Sequence, residues 1–123
     1  MPEPGSRLSV IVVSFRRLAI LERGLSALVA EVRSVQAEVL VVRRPDDVEA
    51  LRSRFPAVRW IPSRPDETVP RMRSLGLESS GGDPIALLED DCVVAEGWCA
   101  ALLSAHQGSS AAVGGPIAPG NYQ

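Results

Sequence analysis

The fold is decided by the stretch Leu8-Ser9-Val10-Ile11-Val12-Val13-Ser14, which is rich in β-branched residues and almost free of polar interruption. A strand that is buried on both faces, as in a parallel sheet, has this continuous apolar pattern rather than an alternating one. Residues 18–33 follow with apolar side chains at helical spacing, which predicts a helix with one buried stripe. Strand and helix in this order predict the start of a βαβ unit.

The remainder of the chain continues the same alternation. Further buried strands are predicted at residues 38–42, 58–62 and 85–88, with a last apolar stretch at 111–113. We expect an α/β fold, a three-layer α/β/α sandwich with a mainly parallel, Rossmann-like sheet. Ligands of such sheets bind at the carboxyl ends of the strands, which directs attention to the residues after Ser14, Val42 and Leu88.

Helix boundaries are predicted from local chemistry. The acids of Pro45-Asp46-Asp47 are suited to cap the start of a helix that ends near residue 55. Thr68 is suited to cap the next helix, which is expected to stop at Gly81-Gly82 because glycine favours helix C-termini. A last helix is predicted at residues 97–106.

Length and composition limit the class of protein. The chain has 123 residues and a net charge of -2, which suits one globular domain and gives no broad electrostatic attraction for nucleic acid. We expect a tail at residues 1–7, an incomplete domain at 8–117 and a tail at 118–123. No apolar run approaches the ~20 residues that span a bilayer, and residues 1–7 lack the features of a signal peptide, which predicts a cytoplasmic protein without a membrane segment. The two cysteines, Cys92 and Cys99, fit neither a disulfide framework nor a zinc spacing.

Three consecutive acids, Glu89-Asp90-Asp91, follow the fourth predicted strand. On extended backbone, Glu89 and Asp91 point to one side and Asp90 to the other. Two carboxylates on one side of a strand end are suited to hold Mg²⁺ or Mn²⁺, and three adjacent negative charges need a positive partner. The alternative is a solvated loop whose acids favour the start of the following helix.

Residues 76–91 combine a glycine-containing helix end, an apolar strand and an acidic triplet, and this segment resembles the one that leads into the Asp-x-Asp motif of glycosyltransferase family 2. Weaker similarity extends over residues 8–116 and includes Arg73-Ser74 and Gly97-Trp98. The resemblance implies a GT-A fold that binds a nucleotide-diphosphate sugar through a divalent ion and transfers the sugar to the hydroxyl of an unidentified acceptor. It implies Asp91 and Glu89 as metal ligands, with Glu89 standing where the family usually has Asp.

The same resemblance implies a nucleotide-sugar site, and its candidate residues are Ser14, Phe15, Arg16, Arg43, Arg73 and Asp90. Ser14-Phe15-Arg16 replaces the more usual Thr-Tyr-Asn of the family. Arg43 follows the second strand, where the family usually has an acid that binds the base, so it either contacts the diphosphate or base or is solvated. The catalytic base is expected beyond Gln123, which would leave this chain inactive or weakly active alone. The alternative function is a non-catalytic nucleotide and metal-binding module of the same fold.

Overall fold

The computed structural model describes residues 8–33 and 35–106. These residues form one sheet of four parallel strands in the spatial order β3-β2-β1-β4. The strands are β1 (Leu8–Val13), β2 (Ala37–Arg43), β3 (Arg59–Pro62) and β4 (Ile85–Glu89). The predicted parallel α/β fold is therefore confirmed, whereas the predicted stretch at 111–113 and the domain end at 117 lie outside the described residues.

Helices cover both faces of this sheet. They are α1 (Leu18–Val32), α2 (Glu49–Arg54, preceded by a 3₁₀ turn at Pro45–Asp47), α3 (Val69–Ser79) and α4 (Trp98–Ala105). One core holds Val10 and Val12 of β1 together with side chains of α1, α2 and α4. The other core holds Ile11 and Val13 together with Met72 of α3. Successive residues of β1 thus enter opposite cores, and the described residues form the expected three layers. None of their helices is both long and apolar enough to cross a membrane.

Helix α3 approaches the sheet closely because Gly76 has no side chain. A Cβ atom at Gly76 would lie 2.4 Å from Cγ2 of Ile11 and 3.3 Å from Cγ2 of Val42. Both distances are shorter than ordinary van der Waals contact. The glycine in the predicted helix therefore serves the packing of α3 on β1 and β2.

The prediction that β4 is buried on both faces was wrong. Ala86 is buried, but its neighbours Ile85 and Leu87 are 39% and 49% exposed. Helix α3 packs over β1, β2 and β3, and among the described residues it leaves this face of β4 largely uncovered. The apolar run at β4 therefore reflects one buried face and one exposed face.

The helix-end predictions gave a mixed result. The Thr68 hydroxyl accepts a hydrogen bond from the Arg71 backbone N–H at 3.3 Å, which confirms it as the N-cap of α3. The end of α3 was explained wrongly, because the residue after Ser79 is extended rather than left-handed and Gly81-Gly82 does not form the cap. A Cβ atom at Gly82 would lie 2.7 Å from the carbonyl carbon of Leu8, so this glycine allows close approach to β1.

A buried carboxylate holds the amino ends of the strands together. Glu38 of β2 accepts hydrogen bonds from the Ser9 hydroxyl at 2.6 Å, the Gly81 backbone N–H at 2.8 Å and the Arg59 guanidinium at 2.7 Å. Burial raises the pKa of Glu38, but these donors outweigh it and the pKa lies below its usual range. Since Ser9 and Glu38 pair near the starts of β1 and β2, this cluster lies at the edge opposite the candidate site.

Candidate functional site

The candidate residues meet at the carboxyl ends of β1, β2 and β4. Val13 of β1 pairs with Val42 on one side and with Glu89 on the other. The next residues along these strands are therefore neighbours, and a hydrogen-bond network joins Ser14, Arg43 and Asp90. The structure brings these three predicted residues together at the carboxyl ends of the strands, where parallel sheets bind ligands.

Asp90 is the central member of this group. Its side chain has no solvent exposure. One carboxylate oxygen, Oδ2, accepts hydrogen bonds from the Ser14 hydroxyl at 3.0 Å and from the backbone N–H groups of Phe15 and Arg16 at 3.0 and 2.8 Å. The other, Oδ1, lies 2.6 Å from Nη1 of Arg16. The role that the structure shows for Asp90 is to hold the β1–α1 turn, and its predicted contact with a nucleotide stays a prediction.

The segment Glu89-Asp90-Asp91, called the acidic turn below, has its backbone directly against α1. Asp90 and Asp91 lie in a turn after the end of β4, with the Cys92 N–H donating to the Glu89 carbonyl at 3.2 Å. A Cβ atom at Gly24 of α1 would lie 2.8 Å from the Cys92 carbonyl oxygen and 3.2 Å from that of Asp90. Gly24 is therefore the position in α1 that makes room for this turn.

Glu89 and Asp91 are both partly exposed, whereas Asp90 between them is buried. The extended backbone assumed in the prediction was wrong for Asp90 and Asp91, which lie in a turn. The side chains of Glu89 and Asp91 are 41% and 36% exposed. Both approach the same group: Glu89 Oε2 lies 3.5 Å from Arg16 Nη2, and Asp91 Oδ1 lies 3.6 Å from Arg16 Nη1. The positive partner that the three acids require is thus present in the chain as Arg16.

The charge on Arg16 is reinforced by its surroundings. The hydrogen bond to Asp90 raises the pKa of Arg16, burial opposes this, and the charges of the three acids raise it further. Arg73 of α3 is a second cation near these acids, and its contact is longer: Nη2 lies 3.8 Å from Glu89 Oε1, and the Arg73 side chain is 43% exposed. Two of the three predicted arginines, Arg16 and Arg73, therefore lie beside the acidic turn.

Arg43 is buried, and the hypothesis that it is solvated was wrong. Its side chain is 3% exposed. Its Nε and Nη2 atoms donate to the two carboxylate oxygens of Asp47 at 3.1 and 2.8 Å, and Nη1 donates to the Ser14 hydroxyl at 2.7 Å. This bidentate pair offsets the loss of hydration of the guanidinium. Asp47 therefore pairs with Arg43 instead of capping a helix, and the hydrogen bonds from Arg43 lower the pKa of Asp47.

A solvent-open cleft of about 100 Å³ lies on the other side of Ser14. Its walls include the half-exposed ring of Phe15 and the guanidinium-bearing residues Arg43, Arg44 and Arg64, against one acid, Glu67. Pockets that enclose a drug-sized ligand measure ~300–1,000 Å³, so a nucleotide would lie partly outside this cleft. Aromatic and cationic walls favour a planar or anionic ligand.

The carboxylate oxygens of the acidic turn are the type of ligand that a hard cation prefers, but they are few. Glu89 and Asp91 supply two carboxylates that already converge on one cationic group. Within residues 8–33 and 35–106, no three His, Cys, Asp or Glu side chains are arranged to hold a metal ion. Mg²⁺ commonly takes only one or two protein carboxylates and completes its shell with waters and substrate phosphates, so the donor set suits a metal that arrives with a phosphate ligand.

Sequence reasoning missed three contacts in this region: Asp47 with Arg43, Arg16 with the acids, and Gly24 with the turn. The four-residue spacing of Arg43 and Asp47 was the one available signal, although these residues do not share a helix. The other two contacts join residues that are more than 60 positions apart.

No family model matches the chain, and no curated protein matches it.

Proposed function

We propose that this chain binds a nucleotide-diphosphate sugar together with Mg²⁺ or Mn²⁺, as the donor-binding part of a sugar transferase similar to glycosyltransferase family 2. One observation carries the proposal: Glu89 and Asp91 converge on a single cationic group at the carboxyl edge of a parallel sheet. That edge is where α/β sheets bind ligands, and a cleft with arginine-rich walls lies beside it.

The cleft and the acidic turn divide the ligand between them. The Phe15 ring is half-exposed and has the Arg16 guanidinium 4.4 Å from its centroid, so the base would stack on the part of the ring that the guanidinium leaves open. The arginine side chains of the cleft supply hydrogen-bond donors to acceptor atoms of the ligand. The diphosphate then extends toward Glu89 and Asp91, where Arg73 is exposed enough to donate to a phosphate oxygen. Ser14 stands between the two parts, since its hydroxyl bonds both Arg43 and Asp90.

Each residue contributes to holding the donor for transfer. A divalent ion, when bound, neutralises charge on the departing nucleotide diphosphate. Glu89 and Asp91 would hold that ion, Arg73 would steady the phosphates, and Asp90 fixes the turn that carries Phe15 and Arg16.

Cys92 and Cys99 are both free thiols, which fits the reducing cytoplasm that we propose as the location.

The test is calorimetric titration of the protein with a panel of nucleoside diphosphates and their sugars, with and without Mn²⁺. Asp91→Asn should weaken metal-dependent binding at least tenfold, since it removes one of two charged ligands. Asp83→Asn is the matched control, because Asp83 is exposed and precedes the opposite end of β4, and it should bind like the wild type.

The proposal is wrong if no nucleoside diphosphate binds at millimolar concentration, or if Asp91→Asn binds as tightly as Asp83→Asn. Release of free sugar or its transfer to an added acceptor would show that the chain turns its donor over. Binding without release would favour the non-catalytic module of the same fold.

A further inference from the structure

Arg16 occupies the position on which the two exposed acids converge. Its Nη atoms lie 3.5 Å from Glu89 and 3.6 Å from Asp91. We propose that the Arg16 guanidinium is the built-in counter-ion of the Glu89 and Asp91 carboxylates, and that a divalent ion binds to these carboxylates only when the guanidinium moves out. Arg16 would then set the metal affinity of the protein. This inference rests on the metal site of the proposed function.

A divalent ion and the guanidinium exclude one another on electrostatic grounds. An ion bound at ~2.1 Å by Glu89 and Asp91 would lie within a few ångströms of the Arg16 Nη atoms. Like charges at such distances repel strongly near a protein surface, where the effective dielectric constant is far below that of water. Metal and guanidinium therefore compete for the same two carboxylates.

When the Arg16 guanidinium moves out, the β1–α1 turn keeps its hydrogen bonds to Asp90, although the buried Asp90 Oδ1 loses its short bond to Arg16. Asp90 Oδ2 keeps its three hydrogen bonds from Ser14 and from the backbone N–H groups of Phe15 and Arg16. The Arg16 side chain is 30% exposed, so water reaches it. Its contacts with Glu89 and Asp91 are long, and the one short bond, at 2.6 Å, goes to Asp90 Oδ1. The turn and the guanidinium are thus held by different oxygens of Asp90, and a departing guanidinium also gives up its position over the Phe15 ring, 4.4 Å from the ring centroid.

The experiment is a Mn²⁺ titration without nucleotide, followed by electron paramagnetic resonance of free Mn²⁺. Arg16→Gln should bind Mn²⁺ about tenfold or more tightly than the wild type, because the competing charge is gone. Arg16→Lys keeps that charge and should stay within about threefold of the wild type. Arg71→Gln is the matched charge-loss control, since Arg71 pairs with Glu67 and Glu78 and not with the acidic turn, and it should also stay within about threefold.

A second measurement uses the wild type alone. NMR signals of the arginine guanidinium groups are followed during titration with diamagnetic Mg²⁺, and Arg16→Lys assigns the Arg16 signal. That signal should shift with saturation, while the Arg71 signal stays in place. This titration decides the matter if Arg16→Gln does not fold.

Several outcomes would overturn the inference. One is a folded Arg16→Gln protein that binds Mn²⁺ no more tightly than the wild type, and another is an Arg16 signal that Mg²⁺ leaves unchanged. If nucleotide binding still depends on metal in these cases, the proposed function stands and only the role of Arg16 fails. Absence of Mn²⁺ binding in every variant overturns both. Tighter Mn²⁺ binding by Arg16→Gln without any nucleotide binding supports the inference and overturns the proposed function.

Discussion

Replacement of Asp90 by Asn should unfold the protein at a much lower urea concentration. Asn has nearly the same shape, so the change removes the charge without opening a cavity. The amide cannot accept at both ends, and its NH₂ group would face either Arg16 Nη1 or the three donors now bonded to Oδ2. At least one buried donor therefore loses its partner.

The size of the effect follows from burial. Breaking one side of a buried ion pair costs about 3–5 kcal/mol, and the partial exposure of Arg16, which allows it to rehydrate, places Asp90→Asn near 3 kcal/mol. Asp91→Asn removes a partly exposed carboxylate 3.6 Å from the same arginine, and surface pairs of this kind contribute about 0–1 kcal/mol. With a urea slope of ~1.5 kcal/mol/M, the Asp90 variant should lose about 2 M in its midpoint and the Asp91 variant less than about 0.7 M.

The assay is equilibrium urea unfolding followed by far-UV circular dichroism. Asp91→Asn serves as the control because it makes the same chemical change at the next residue. The reasoning about the β1–α1 turn is refuted if the midpoint of Asp90→Asn falls no further than that of Asp91→Asn.

Three further predictions concern other parts of the fold. Gly76→Ala should lower the free energy of unfolding by about 1–2 kcal/mol, because its Cβ would lie 2.4 Å from Ile11 and this overpacking outweighs the gain in helix propensity of up to about 1 kcal/mol; urea unfolding measures it. The net lowering of the Glu38 pKa stabilises the fold above about pH 5, and this contribution is lost as pH falls through the lowered pKa, so Glu38→Gln should show a flatter loss of stability between pH 5 and 3 than the wild type. Burial raises the pKa of Cys99 to about 11, so in a Cys92→Ser protein at pH 8 a thiol reagent should react slowly until urea is added; rapid reaction of the folded protein would contradict the packing of α4.

The parallel sheet could be predicted from the sequence because its inner strands are buried on both faces. Continuous apolar runs such as that of β1 have few other stable arrangements, and the intervening helical patterns impose the crossovers. The exposure of Leu87 could not be predicted in this way. It depends on which strands α3 covers, and that is a property of helix placement rather than of the strand's own residues.

The candidate site could be predicted in outline only. The expectation that ligands bind at the carboxyl ends of the strands located Ser14 and the acidic turn. The burial of Asp90 was not predicted, because it depends on the donors of the distant β1–α1 turn. The burial of Arg43 was missed because a charged residue after a strand is usually solvated unless a partner folds onto it. That partner, Asp47, reaches it through a 3₁₀ turn whose geometry the local sequence pattern did not reveal.

Contact between α1 and the acidic turn has a consequence for how the protein adjusts to a ligand. At Gly24 there is no space between the helix and the carbonyl oxygens of Asp90 and Cys92 for even a methyl group. The backbone of the turn therefore cannot move toward α1. Rotamer changes of the exposed side chains of Glu89 and Asp91, which occur in picoseconds to nanoseconds, do not require this backbone to move toward α1.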